Sequence, residues 1–261
     1  AGCAHTILPI TYRHLSARVD CAGATFYSAN LDLASCDALL VRSMPPGSLE
    51  QVVLRMNALA RLAASGVQVV NSPRSIEIAV DKFLATMKLR DAGLRVPQTV
   101  ACQTSDQAME AFVAFAGDVV VKPLFGGEGR GITRVSDESV ALRVFKALEQ
   151  IGAVIYLQEF IPHEGADLRV MVVGEHVLGM RRRHPTDWRT NLSRGATAEP
   201  LEVTAELATF ARRACAAVGT EIAGVDFLPG KDGQLYTIEV NGVPGWKALA
   251  KLTQILSLIH I

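Results

Sequence analysis

Two segments of the sequence predict antiparallel β-hairpins, and they constrain the fold more than any other feature. Residues 224–241 form two apolar runs joined by Asp232-Gly233, a dipeptide typical of tight hairpin turns. Residues 167–183 predict a second hairpin, which turns at Gly174. Hairpins of this kind exclude a classical doubly wound sheet, in which parallel strands are joined through helices.

Amphipathic helices with clear start and stop signals separate the strands. Ser48 and Gln51 predict a capping box for a helix over 48–66. Strands at 37–43 and 67–71 flank this helix, and the order predicts a small parallel α/β unit. The elements that follow are helices over 75–93, 105–117, 136–151 and 204–218, and strands over 96–102, 118–123, 132–135 and 154–160. Their alternation with hairpins predicts stacked α+β layers.

Composition and charge exclude several functional classes. A formal net charge of +0 argues against a general nucleic-acid binder. The sequence has no apolar run long enough to span a bilayer and no signal-peptide pattern, which predicts a cytoplasmic protein. The five cysteines form no CxxC pair and no zinc-ligand spacing, so we expect reduced, mostly buried thiols.

The segment VVVKPLFGGEGRGI has the composition of a phosphate-binding loop. Gly126, Gly127 and Gly129 let backbone N–H groups approach an anion closely, and Lys122 on the preceding strand adds a positive charge. The segment matches neither a P-loop nor a Rossmann fingerprint. A flexible hairpin tip is the alternative interpretation.

The segment YTIEVNGVPGW places two oxygen-bearing side chains at a strand end. Glu239 and Asn241 are two residues apart, so both point to the same face of the strand. Pairing across the hairpin turn brings Asp226 beside them. Three oxygen donors in one place predict a site for a hard cation such as magnesium. The alternative is a strand that ends in polar residues.

Three further polar segments are uninformative one at a time. Gln158 and Glu159 lie on an apolar strand, Asp167 opens the next hairpin, and Arg189 and Asn191 lie in a basic loop. Each alone is as well explained by a solvated face. Together they place acidic, amide and basic groups on neighbouring elements.

The ordered set of these motifs resembles the ATP-grasp enzymes, and within them the RimK-type α-L-glutamate ligases. The motifs are Lys82, VVVKP with its glycine loop, QEFI, ADLRV, WRTN, GVDF and IEVNGVPGW. They keep the family order over roughly residues 68–253. The resemblance implies an α+β ATP-grasp fold in which two α+β subdomains grip ATP. That domain would span 75–261 with a lid subdomain at about 96–157, after a small truncated α/β domain over 1–74.

The resemblance also implies roles for individual residues. The lysines contact ATP phosphates under the glycine loop, residues 159–161 hold adenine, and Asp167 takes the ribose hydroxyls. Arg189 and Asn191 are the implied catalytic residues near the γ-phosphate. The residues implied to bind nucleotide are Lys82, Lys122, Gly126, Gly127, Gly129, Glu159, Phe160, Ile161, Asp167, Arg189, Thr190 and Asn191, and those implied to bind metal are Asp226, Glu239 and Asn241.

The implied activity is an ATP-dependent carboxylate–amine ligase. ATP would phosphorylate a carboxylate, and the amine of L-glutamate or another amino acid would then form an amide. The implied cofactors are ATP and two Mg²⁺ or Mn²⁺ ions, and the implied acceptor is a protein tail or a small cofactor. We expect no membrane or direct nucleic-acid partner, and a homo-oligomer is compatible with the family. The alternatives are a D-amino-acid or peptide ligase and a non-catalytic nucleotide-binding module.

Overall fold

The protein is described by a computed structural model that covers residues 6–21, 23–127 and 129–253. The chain divides into two compact units, at residue 74. The last residues of the domain expected over 75–261, at 254–261, lie outside the described residues. Within the described ranges, no helix is long and apolar enough to cross a membrane.

The first unit contains two small sheets. Residues 38–70 form a strand–helix–strand unit with parallel strands, which confirms the α/β unit expected there. The Ser48 hydroxyl and the Gln51 side chain make the reciprocal bonds of the predicted capping box. A three-stranded antiparallel sheet precedes this unit and was not predicted. The elements are β1 (Leu15–Asp20), β2 (Gly23–Ser28), β3 (Leu31–Asp32), β4 (Ala38–Leu40), α1 (Leu49–Ala64) and β5 (Gln68–Val70).

The helix predicted over 75–93 is wrong as a single element. The structure has α2 (Pro73–Val80) and α3 (Lys82–Asp91) in its place. Asp81 separates them, because its side chain accepts two 3.0 Å hydrogen bonds from backbone amides of the next turn. Helix α2 begins at Pro73, so Ser75 lies inside it. The break makes Lys82 the first residue of α3.

A four-stranded antiparallel sheet follows, in the strand order β6-β9-β7-β8. Helices α4 and α5 pack on one face, where Phe112, Phe145 and Leu157 belong to a buried apolar cluster. The opposite face carries Lys122 and Gln158, because successive residues of a strand point to opposite faces of the sheet. The elements are β6 (Thr99–Cys102), α4 (Ser105–Ala114), β7 (Val119–Lys122), β8 (Thr133–Val135), α5 (Glu138–Gln150) and β9 (Ile155–Glu159).

A five-stranded antiparallel sheet forms the rest of the second unit, in the order β12-β11-β10-β13-β14. Both predicted hairpins are confirmed, whereas β12 lies in a segment for which no strand was predicted. Helix α6 packs on one face, and α7 covers the apolar part of the other. The elements are β10 (Ala166–Val173), β11 (His176–Arg183), β12 (Thr197–Leu201), α6 (Ala205–Val218), β13 (Ile222–Pro229), β14 (Leu235–Asn241) and α7 (Lys247–Thr253).

The alternation along β10 separates core from site. Val170 and Val172 face α6 and are fully or almost fully buried. Asp167 and Arg169 therefore project from the opposite face. In the neighbouring strands, the same face carries Asp226. The polar end of this face forms the floor of the cleft described next.

Candidate active site

One cleft gathers most of the side chains predicted for the site. Its walls come from the polar face of the four-stranded sheet, the start of α3 and the loop after β11, and its floor comes from the five-stranded sheet. The predicted residues that line it are Lys82, Lys122, Glu159, Phe160, Ile161, Asp167, Arg189, Thr190, Asn191, Asp226 and Glu239. The predicted residues outside this lining are Gly126, Gly127, Gly129 and Asn241.

The two lysines come from different elements and meet in the cleft. Lys82 begins α3, and its Nζ donates a 2.6 Å hydrogen bond to the carbonyl oxygen of Gly126 in the glycine loop. Lys122 ends β7, and its Nζ donates to Oε1 of Gln158. Burial lowers the pKa of both lysines, to about 8 for Lys122, although the nearby Glu239 carboxylate opposes the shift. The two ammonium groups are near enough for the charge of Lys82 to act on Lys122, and together they form a positive wall that suits phosphate oxygens.

Four charged side chains of the five-stranded sheet form an ion-pair network, and all of them except Arg169 line the cleft. Arg169 holds Asp226 through two 2.7 Å hydrogen bonds, and an Arg182 nitrogen lies 2.9 Å from the same carboxylate. Arg182 also makes a bidentate pair with Asp167. We define these residues (Asp167, Arg169, Arg182 and Asp226) as the floor quartet. Two positive and two negative side chains make the quartet neutral overall.

The pKa values of the floor quartet follow from burial and pairing. Burial alone would raise the pKa of Asp226, but Arg169 and Arg182 lower it to about 2. Burial raises the pKa of Asp167 in spite of its pairing with Arg182. Burial would lower the pKa of Arg182, yet the two carboxylates raise it above its ordinary value. Each acid of the quartet thus has at least one cationic partner.

The predicted metal ligands are brought together in part. Asp226 and Glu239 are register partners on β13 and β14, and a register shift between Asp226 and Phe227 brings them opposite each other. Asn241 pairs with Gly224, and its Oδ1 accepts a 3.0 Å hydrogen bond from the backbone of Val243. Among the described residues, no group of three His, Cys, Asp or Glu side chains has the arrangement of a metal centre. Two carboxylates and an amide oxygen remain a donor set that suits a hard cation.

The glycine loop and the loop after β11 meet at the mouth of the cleft. Gly129 has a φ of +71°, and a Cβ at this position would collide with Oδ1 of Asn191. Arg189 donates a 3.4 Å hydrogen bond to the carbonyl oxygen of Ile132. Asp187 holds the Arg189 guanidinium, and this pairing lowers the pKa of Asp187 to about 2. Thr190 is buried and contributes a side-chain hydrogen bond to Asp167.

Aromatic side chains form the wall at the segment 159–161. The Phe160 ring lies beneath the Arg134 guanidinium, with 3.5 Å between the guanidinium carbon and the ring centroid, and it meets the edge of Trp188. Asp118 fixes Arg134 through a bidentate ion pair. The Glu159 carboxylate is turned away toward Gln98, from which it accepts two 2.8 Å hydrogen bonds. Backbone groups and the Phe160 ring therefore dominate this wall.

Several residues of the cleft were missed by the sequence analysis. Arg182 sits within the run RRR, where sequence alone gives no reason to separate it from its exposed neighbours. Trp188 is the first residue of the motif WRTN but was given no role, and its aromatic character was the available signal. Ile132, His163 and Ile238 are further lining residues without a distinctive pattern.

Two α+β layers that enclose a cleft with lysines on one wall and carboxylates on its floor define the ATP-grasp class. The chain belongs to the RimK-like ATP-grasp family, whose model matches residues 79–260. It is 35% identical over 265 residues to the tetrahydromethanopterin:alpha-L-glutamate ligase of Methanosarcina acetivorans, over 90% of this chain and 81% of that protein. A probable alpha-L-glutamate ligase of Mannheimia succiniciproducens is 29% identical, over 81% of this chain and 72% of its own.

Solved structures share the fold. The ATP-grasp ligase PsnB in complex with a minimal precursor superimposes with a TM-score of 0.70 at 23% identity, over 93% of this chain and 82% of its own. The D-alanyl-alanine synthetase A of Vibrio cholerae gives a TM-score of 0.67 at 14% identity, over 92% of this chain and 82% of its own. The comparisons confirm the ATP-grasp fold, the RimK-type resemblance and the reaction class. The chain is an ATP-dependent carboxylate–amine ligase.

Proposed function

We propose that the protein joins the amine of L-glutamate to an acceptor carboxylate on a protein tail or a small cofactor. The acceptor carboxylate oxygen attacks the γ-phosphorus of ATP, which forms an acyl phosphate and releases ADP. The glutamate nitrogen then attacks the acyl carbon, an amide bond forms, and inorganic phosphate and a proton leave. The glutamate ligases among the relatives support this choice of amine.

The observation that carries the proposal is the convergence of Lys82, Lys122 and Arg189 on one cleft that also holds Asp226 and Glu239. The two lysines contact the phosphates, and their positive charge offsets the charge of the transferring group. Arg189 lies by the γ-phosphate and stabilises the acyl phosphate, together with Asn191. Thr190 lies between these two residues and fixes their loop to the floor. No nucleophile from the protein is needed.

The base and sugar of ATP are assigned to the aromatic wall. Adenine packs on Phe160 and bonds the backbone of residues 159–161, since the Glu159 carboxylate is already bonded to Gln98. The glycine loop at 126–129 closes over the phosphates, and residues 96–157 act as a lid. The ribose role of Asp167 stays a prediction, because Arg182 already binds its carboxylate.

Asp226, Glu239 and Asn241 would hold Mg²⁺ or Mn²⁺, with two ions bound in the full complex. Bound there, the cation supplies positive charge to the phosphate oxygens and so favours phosphoryl transfer. The donor set fits, since carboxylate and amide oxygens share one face of the hairpin. Asp226 keeps its hydrogen bonds to Arg169 and Arg182, which leaves a lone pair on Oδ1 for a cation.

The test is ADP release with Mg²⁺, L-glutamate and a panel of acceptors, with mass spectrometry of the products. Addition of a glutamate residue to an acceptor supports the proposal, and Lys122→Ala should abolish both signals. ADP release with D-alanine and no glutamate product would favour the D-amino-acid or peptide ligase. Nucleotide binding without ADP release under all conditions would favour a non-catalytic module.

A further inference from the structure

A chain of buried hydrogen bonds runs from the Lys122 ammonium to helix α3. Gln158 accepts from Lys122 through Oε1, and its Nε2 donates to the Tyr156 hydroxyl and to Thr99 Oγ1, both at 2.9 Å. The Tyr156 hydroxyl lies 3.1 Å from Thr86 Oγ1 on α3. These side chains come from β6, β7, β9 and α3, so the bonds join the four-stranded sheet to the helix. We define Thr86, Thr99, Tyr156 and Gln158 as the polar chain.

Burial makes this arrangement more than a surface feature. Tyr156 is 1% exposed, Gln158 is 2% exposed and Thr86 is 8% exposed. Polar groups in such surroundings destabilise the fold unless they are hydrogen-bonded, and apolar residues would fill the same space without that requirement. If these positions only had to be filled, apolar residues would serve, so the polar groups point to a role beyond packing. Its one charged end is Lys122, which lines the cleft.

The hydrogen bonds also fix which way the Gln158 amide points. A carboxamide has one acceptor end and one donor end. The donor end is committed to two oxygens, those of Thr99 and Tyr156, so the acceptor end has to face Lys122. The side chain therefore offers the lysine a single, oriented acceptor. An ammonium bonded in this way has less freedom to turn away from the cleft.

The other end of the polar chain, Thr86, lies on the same helix as the second lysine, Lys82. Thr86 and Lys82 are four residues apart on α3 and so lie on the same face of the helix. Lys82 bonds Gly126, whereas Thr86 bonds Tyr156. The two lysines are thereby tied to one frame, although they belong to different elements.

We propose that Gln158, Tyr156 and Thr86 are positioning residues, which hold the Lys122 ammonium toward the nucleotide phosphates and fix its place relative to Lys82. The inference rests on the proposed function, in which both lysines contact ATP. None of the three needs to touch the nucleotide for this role. Removal of the Tyr156 hydroxyl takes away one of the two acceptors that orient Gln158, so the partner of Lys122 is held less firmly.

The experiment measures the affinity for a non-hydrolysable ATP analogue with Mg²⁺ by calorimetry, and the steady-state rate of ADP release. Tyr156→Phe and Thr86→Val should each raise the dissociation constant about tenfold, which equals about 1.4 kcal/mol. The rate at saturating ATP should change much less, because the lost interaction acts on bound substrate and transition state alike. Tyr236→Phe is the matched control, since its hydroxyl donates a 2.8 Å bond to Asp232 away from the cleft. Thr209→Val, on the surface of α6, is the control for Thr86→Val.

The Lys122→Ala background separates positioning from a general structural role. Tyr156→Phe should leave the residual affinity of Lys122→Ala unchanged, because the ammonium that the polar chain positions is then absent. Equal losses in both backgrounds would overturn the proposal and indicate a structural role, as would wild-type affinity in both Tyr156→Phe and Thr86→Val. If thermal unfolding shows that Tyr156→Phe or Thr86→Val does not fold, the affinity of the other variant decides the test. Failure of the wild type to bind the analogue would instead overturn the proposed function, and this inference with it.

Discussion

Replacement of Arg182 by leucine tests how strongly the floor quartet supports the fold. The Arg182 side chain is 3% exposed and bonds the carboxylates of Asp167 and Asp226, which are 12% and 8% exposed. In Arg182→Leu, Asp226 keeps Arg169, but Asp167 loses its cationic partner. A buried charge left without its partner destabilises a protein by about 3–5 kcal/mol. We therefore expect the free energy of unfolding at pH 7.5 to fall by that amount.

The loss should shrink as the pH is lowered. Burial already raises the pKa of Asp167, and removal of Arg182 raises it further. The folded variant then binds a proton at a pH where the unfolded chain does not. Stability rises with falling pH wherever the folded state binds more protons. The difference from wild type should accordingly be smaller at pH 5 than at pH 7.5.

Urea unfolding at the two pH values measures both effects. Arg181→Leu is the matched control, because Arg181 precedes Arg182 on β11 but is exposed on the opposite face. We expect Arg181→Leu to change stability by less than about 0.5 kcal/mol at either pH. Similar losses in the two variants, or a loss in Arg182→Leu that does not depend on pH, would refute the reasoning.

Three further outcomes test the cleft. Glu239→Gln should fold normally and lose most turnover, with partial recovery at raised Mg²⁺; rate curves against Mg²⁺ that superimpose on wild type would argue against a metal ligand. Gly129→Ala should lower the rate of ADP release, because its Cβ meets Asn191, whereas Gly152→Ala has the same positive φ in open space and should not. ATP affinity, measured by calorimetry, should weaken above pH 8, because unliganded Lys122 loses its proton near its pKa of about 8. Lys122→Arg should flatten this pH dependence. A wild-type affinity that stays constant from pH 7 to pH 9.5 would contradict the prediction.

The sequence predicted those parts of the site that depend on local rules. The Asp-Gly turn predicts the last hairpin, and so Asp226 could be placed near Glu239 in advance, whereas a register shift between Asp226 and Phe227 sets their direct pairing. Lys122 followed in the same way from an apolar strand that runs into a glycine loop. Ordered motifs then identified the family, although each motif was weak alone.

Other features depend on contacts that the sequence does not display. The break at Asp81 interrupts a continuous helical pattern. The Asp81 side chain accepts hydrogen bonds from amides of the next turn, and this cap forms only together with that turn. Strand β12 contains Pro200 and exposed polar residues, and it forms through pairing with β11. Arg182 differs from the other arginines of its run only in the face of the strand to which it points.

The neutrality of the floor quartet has a consequence for the order in which ligands arrive. A divalent cation that enters the empty cleft meets two guanidinium groups beside Asp226 and two ammonium groups near Glu239. The negative charge needed to attract it is largely cancelled before it binds. Triphosphate brings its own negative charge and is drawn to the same lysines that repel the cation. We therefore expect an ordered kinetic scheme, in which the cation is delivered as a complex with the nucleotide and leaves with the product nucleotide.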